Sequence, residues 1–80
     1  MDMYTAVKYR ILALCEEKGI SIYRLALDSG VSQSTIKNIL YGKSKNPGIV
    51  TLKMLCDGMD IDILTFFDAQ IFKDLEQEMK

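Results

Sequence analysis

Residues 25–40 read Leu25-Ala26-Leu27-Asp28-Ser29-Gly30-Val31-Ser32-Gln33-Ser34-Thr35-Ile36-Lys37-Asn38-Ile39-Leu40. The spacing within this stretch decides the fold. Apolar residues recur at intervals of three and four on either side of Gly30, which is helical periodicity interrupted once. Ser21 and Ser32 stand where N-caps are needed, predicting helices over 22–29 and 33–40. Ile20 with Leu25, and Val31 with Ile36, have the spacing of hydrophobic staples. Ala26 is small where the two helices must cross closely. Gly30, four residues on, stands where the turn needs a positive φ that a β-carbon makes costly. Ile36 and Ile39 point from the second helix into a core, and Leu25 and Val31 close the angle. The spacing Ala-x3-Gly-x5-Ile is therefore a set of steric requirements.

Two helices joined by a short glycine-containing turn form a helix-turn-helix, and the flanking chain extends the pattern. Gly19, Gly30, Gly42, Gly48 and Gly58 punctuate the sequence, and no alternating apolar run of strand type lies between them. A first helix is expected over 4–18, with Val7, Ile11, Leu14 and Cys15 on one stripe. After the loop Lys43-Ser44-Lys45-Asn46-Pro47-Gly48, a fourth helix is expected over 49–58, with Leu52, Leu55, Cys56 and Met59 facing inward. Asp62 can cap a short fifth helix, with Ile61 and Phe66 as its staple. Ile71, Phe72, Leu75 and Met79 share one face of a further helix, or of an extension of the fifth. The fold class is all-α.

At 80 residues the chain is one domain with a thin stability margin. It has no histidine, which removes the commonest general base and metal ligand. Cys15 and Cys56 lie far apart inside apolar helical patterns and read as reduced, core-filling thiols. The acids scatter along helix surfaces, so no catalytic constellation forms, and neither an enzyme nor a cofactor, metal or small-molecule ligand is expected. The apolar run 11–15 ends at Glu16-Glu17, too short for a signal peptide or a membrane span, so a cytoplasmic protein is the expectation. The net charge of −1 is unevenly spread: residues 21–53 carry five bases against one acid, a net of +4, while residues 54–80 carry seven acids against two bases. Local field decides where a polyanion docks, which makes the middle of the chain the candidate.

The stretch from Gly19 to Asp68, with "LALDSGVSQSTIKNIL", Gly42, a basic loop, Pro47, a Leu-rich fourth helix and "DIDILTFFD", resembles the phage-repressor-like, Cro/XRE family of helix-turn-helix proteins. The resemblance implies a five-helix, lambda-repressor-like DNA-binding domain over 1–68 with its helix-turn-helix at 22–40, and a C-terminal extension over 69–80. It also implies sequence-specific binding of double-stranded DNA and transcriptional repression by a dimer on a palindromic operator. One departure stands out. The family usually places Gln at the first position of the second helix, where it contacts a phosphate and braces the recognition helix; this chain has Ile22, beside Tyr23, whose hydroxyl can substitute.

If the resemblance holds, the third helix lies in the major groove. Its core side takes Ile36, Ile39 and Leu40, and the opposite face presents Gln33, Ser34, Lys37 and Asn38 to bases. Thr35 either touches DNA or packs at the turn. Phosphate contacts are expected from Tyr23, Tyr41, Lys43, Lys45 and Asn46. Arg24 is evenly balanced between a role at DNA and none. The alternative for the polar face and the basic loop is a solvated surface, and the alternative function is a protein-interaction module such as an antitoxin or a phage-derived accessory protein. A homodimer is expected through the fifth helix and the tail, where Leu64, Phe67, Ile71, Phe72, Leu75 and Met79 exceed what one short helix needs; the competing expectation is that the tail folds back over its own core.

Overall fold

The computed structural model describes residues 1–42 and 44–79. Five α-helices follow one another: α1 (Met3–Lys18), α2 (Ile22–Ser29), α3 (Gln33–Leu40), α4 (Ile49–Gly58) and α5 (Ile63–Phe67), with a 3₁₀ turn at Gln70–Phe72. No strand occurs among the described residues, and no helix there is long and apolar enough to cross a membrane.

Local chemistry sets the helix ends. The Asp2 carboxylate accepts from Thr5 N at 2.8 Å, Ser21 Oγ from Arg24 N at 3.0 Å, Ser32 Oγ from Thr35 N at 3.1 Å and Asp62 from Thr65 N at 2.6 Å. Each such bond satisfies a helix-start amide and is worth about 1 kcal/mol. The cap carboxyls of Asp2 and Asp62 are held below the usual aspartate range, in both cases mainly by their bonds to the threonine in the first turn of the helix, Thr5 and Thr65 respectively. Gly30 closes α2 at φ +74°.

The core is a single cluster. Val7, Ile11 and Leu14 of α1 meet Leu25, Val31, Ile36, Ile39, Leu40, Leu52, Leu55, Cys56, Met59 and Phe66. The three staple partners expected to be interior, Leu25, Ile36 and Phe66, are fully buried. Burial pushes both thiols, Cys15 and Cys56, above their ordinary pKa, which keeps them protonated. α2 lies against α4 closely enough that a β-carbon on Gly58 would sit 2.7 Å from the Ser29 β-carbon. In the sequence Gly58 reads only as a helix stop; in the fold it is the contact point of two helices.

The tail departs from expectation. After the 3₁₀ turn it runs without helix to residue 79. Phe72 packs on Phe67 and Phe66, with ring centroids 4.9 and 6.0 Å apart. Further on, Glu76 N donates to Met1 O at 3.0 Å, and the Glu78 carboxylate accepts from Met3 N at 3.2 Å. A helix here would have placed Asp74, Glu76 and Glu78 near its own negative C-terminal pole; an extended chain instead brings Glu78 to the positive start of α1. The tail thus covers its own domain, and Phe72, expected on a dimer surface, is partly buried against its own core.

Candidate nucleic-acid interface

The helix-turn-helix consists of α2, the three residues Gly30-Val31-Ser32, and α3. Val31 is buried and anchors the turn from below. With Ile36, Ile39 and Leu40 buried, α3 has one orientation left, and Gln33, Ser34, Thr35, Lys37 and Asn38 are all exposed on its outer side.

Both ends of α3 are fixed. At its start, Ser32 Oγ takes the Thr35 amide and also donates to Thr35 Oγ1 at 2.9 Å. The Thr35 side chain therefore belongs to the cap as well as to the exposed face. At its end, the last-turn carbonyls find partners outside the helix: Asn38 O accepts from Ser44 N at 2.9 Å, and Ile39 O accepts from the Tyr4 hydroxyl. The Tyr4 contact spans 35 positions. Sequence spacing does not identify this partner, although a tyrosine on the apolar stripe of a helix needs one for its hydroxyl.

Ile22 is half-buried and packs against the core, and its hydrocarbon side chain has no group to donate to a phosphate. Tyr23, next in sequence, is exposed and borders an open hollow with Gln33 and Ser34. Tyr41 is exposed where α3 ends. Lys45 and Asn46 are exposed but belong to a different hollow, bordered by Met3, Tyr4, Pro47 and Glu78. The structure thus gathers Tyr23 with the start of α3, and Lys45 and Asn46 with the start of α1. Lys43 lies outside the described residues.

The basic middle of the chain is weaker than its composition. Arg24 Nε pairs with Asp28 at 3.0 Å, and Lys53 pairs with Asp57, each one helical turn on. Asp57 falls outside the basic segment in the sequence but beside Lys53 in the helix. Among the described residues, Lys37 and Lys45 form no ion pair with a carboxylate. They are the cations best placed to meet a polyanion, Lys37 from the outer face of α3 and Lys45 from the loop behind it.

One further residue positions the frame. Arg10 of α1 donates from Nε to Phe66 O at 2.7 Å and from Nη2 to Thr65 O at 2.9 Å, closing the C-terminal end of α5. A guanidinium at a helix C-terminus satisfies orphan carbonyls and opposes the negative pole.

Known proteins share this arrangement. The profile of Cro/C1-type HTH DNA-binding domains matches residues 10–70. The HTH-type transcriptional regulator SlrR of Bacillus subtilis (strain 168) is 37% identical over 62 residues, covering 76% of this chain and 41% of that protein. The chain therefore spans about two-fifths of that relative's length. Among solved structures, the restriction-modification controller protein C.Esp1396I superposes with a TM-score of 0.75 at 25% identity, covering 81% of this chain and 83% of the other. The prophage Lp1 protein 11 superposes with a TM-score of 0.79 at 28% identity, covering 94% of this chain and all of the other, 100%.

Proposed function

The chain belongs to the Cro/C1-type family of HTH DNA-binding domains, and on that premise we propose that it is a transcriptional repressor which binds a palindromic operator as a homodimer and excludes other proteins from the site. One observation carries the reading: Gln33, Ser34, Lys37 and Asn38 form an exposed polar face on a helix whose opposite side is fully committed to the core. Gln and Asn suit the paired donor and acceptor of adenine, Lys the acceptors of guanine, and Ser either. Tyr23, Tyr41, Lys43, Lys45 and Asn46 are assigned to phosphates, which set register rather than sequence. Thr35 is assigned to the cap, with its methyl group available to the groove.

The dimer follows from the small reach of one unit. A single eight-residue α3 reads few base pairs and neutralises few phosphates. Two copies related by a two-fold axis double both, with recognition helices about 34 Å apart, one turn of DNA. The surface proposed for pairing is α5 with the start of α4. There Ile49 is 83% exposed, Val50 70% and Leu64 78%, beside half-buried Ile63 and Phe67. An apolar patch of this kind is unfavourable in water unless covered.

Selection of bound sequences from a random DNA library tests the reading. A palindromic consensus supports it; recovery of no DNA above background favours the alternative, a module that holds a protein partner. Sedimentation of the intact protein and of Leu64→Asp checks the dimer: the intact protein should pair and the variant should not.

A further inference from the structure

We propose that the acidic C-terminal strap is an electrostatic gate on DNA binding: it places Glu78 on the rim of the same hollow as Lys45, so that a backbone phosphate approaching that lysine meets a resident negative charge. The inference rests on the DNA-binding reading above and adds a regulation to it.

Glu78 and Lys45 border one hollow, which Asn46, Tyr4 and Met3 also line. The strap is anchored at its base by Phe72 against Phe66 and Phe67, and it is fastened at its end by the bonds of Glu76 N to Met1 O and of Met3 N to Glu78. The Glu78 bond is exposed, so water competes for it and the strap can lift without unfolding the domain. Asp2 adds a second carboxylate on the same side. Its acidity is increased chiefly by its bonds to Thr5, and the positive field of Lys45 acts on it as well. Among the described residues, Lys45 forms no ion pair with either carboxylate.

A lysine contributes to DNA affinity by replacing condensed counterions on phosphate. Where carboxylates stand close by, they offset part of that gain by repelling the approaching strand. The effect is confined to about 10 Å at ordinary ionic strength. Glu17, near the far end of α1, lies roughly 20 Å from the strap's fastening by helical rise. It carries the same charge without access to Lys45.

The test uses full-length protein and a random-sequence DNA duplex several turns long, titrated over a range of salt. Glu78→Gln keeps an oxygen for the Met3 amide but removes the charge. It should tighten binding by roughly two- to fivefold at low salt, the size of one exposed charge interaction. The gain should shrink as salt rises, should exceed that of Glu17→Gln, and should vanish in a Lys45→Ala background. A gain equal to that of Glu17→Gln, or one that persists without Lys45, overturns the gate while leaving DNA binding intact. Absence of DNA retention by wild type and every variant overturns the functional reading, and the gate with it.

Discussion

A β-carbon added to Gly58 would lie 2.7 Å from the Ser29 β-carbon and 2.8 Å from the Ser29 backbone nitrogen. No side-chain rotation relieves that contact, because the obstacle is the end of α2 itself. The crossing of α2 over α4 therefore depends on Gly58 having no side chain. Since α3 follows α2 after only three residues, the angle at which α3 leaves the surface depends on it too.

Gly58→Ala is accordingly expected to destabilise the domain. Alanine in a helix gains about 1 kcal/mol over glycine. Overpacking costs about 1–3 kcal/mol, and here the larger end applies because backbone must move. Chemical denaturation should show a lower midpoint; an unchanged or higher one would mean that the helices separate easily.

Gly30→Val tests strain without collision. At φ +74° the nearest atom to an added β-carbon is Met54 Cε at 3.7 Å, an ordinary contact. The cost is that of forcing a β-branched residue into the left-handed region, roughly 1–3 kcal/mol. Gly30→Asn should lose less, since Asn tolerates that region. Equal thermal midpoints for Val and Asn would contradict this account.

For base reading, Gln33→Ala and Asn38→Ala should each lose roughly 1–3 kcal/mol of specific binding and relax preference at one position per half-site. Both side chains are exposed and outside the core, so the fold should be unaffected. Equal losses on operator and random DNA would place them away from base edges.

For phosphates, Lys45→Ala should weaken binding to all sequences and lower the slope of log K against log salt by about one. Lys43→Ala is expected to do the same. Lys53→Ala should leave the slope nearly unchanged, because Asp57 already holds that ammonium. A full unit lost at Lys53 would show that DNA reaches α4.

The Asp62 cap gives a pH dependence of stability. Its carboxyl is held below the ordinary value of 3.8, mainly by its bonds to Thr65. A depressed folded pKa means stability that is present above the unfolded value and lost as pH falls through the folded one. The thermal midpoint should decline as pH drops below about 4, and Asp62→Ser, which keeps an acceptor without a charge, should flatten that decline. Parallel curves for the two proteins would remove the cap from the acid transition.

Much of this was legible in the residues. The ends of α2, α3 and α4 fall where Ser21, Ser32, Gly30 and the Pro47-Gly48 pair place them, and the interior of the helix-turn-helix follows from apolar spacing alone. The outward face of α3 is legible for the same reason: once Ile36, Ile39 and Leu40 are assigned to the core, geometry leaves Gln33, Ser34, Lys37 and Asn38 outside. The basic segment was only half legible. Its cations can be counted in one dimension, but the Lys53–Asp57 pair crosses the edge of the counted segment and cancels part of it.

What the sequence by itself determined is the set of interactions closed within a helical turn or two: caps, staples, the left-handed turn at Gly30 and the amphipathic stripes. These depend on neighbours along the chain, so residue type and spacing specify them. Only the tertiary structure decided the contacts between distant segments. Tyr4 reaches the last carbonyl of the Ile39 turn, Arg10 closes α5 at Thr65 and Phe66, Gly58 admits Ser29, and Glu78 returns to the start of α1. Each side chain has a local role that reads equally well without its distant partner: a stripe tyrosine, a surface arginine, a stop glycine, a tail acid. The tail shows why. Its apolar spacing fits a helix, but five-membered α5 already ends at Phe67 and Arg10 takes its last carbonyls, so Phe72 folds onto Phe66 and Phe67 and the remaining chain extends toward the positive end of α1. Burial and a complementary charge elsewhere in the fold outweighed the local preference, and neither can be located until α1 and α5 are packed together.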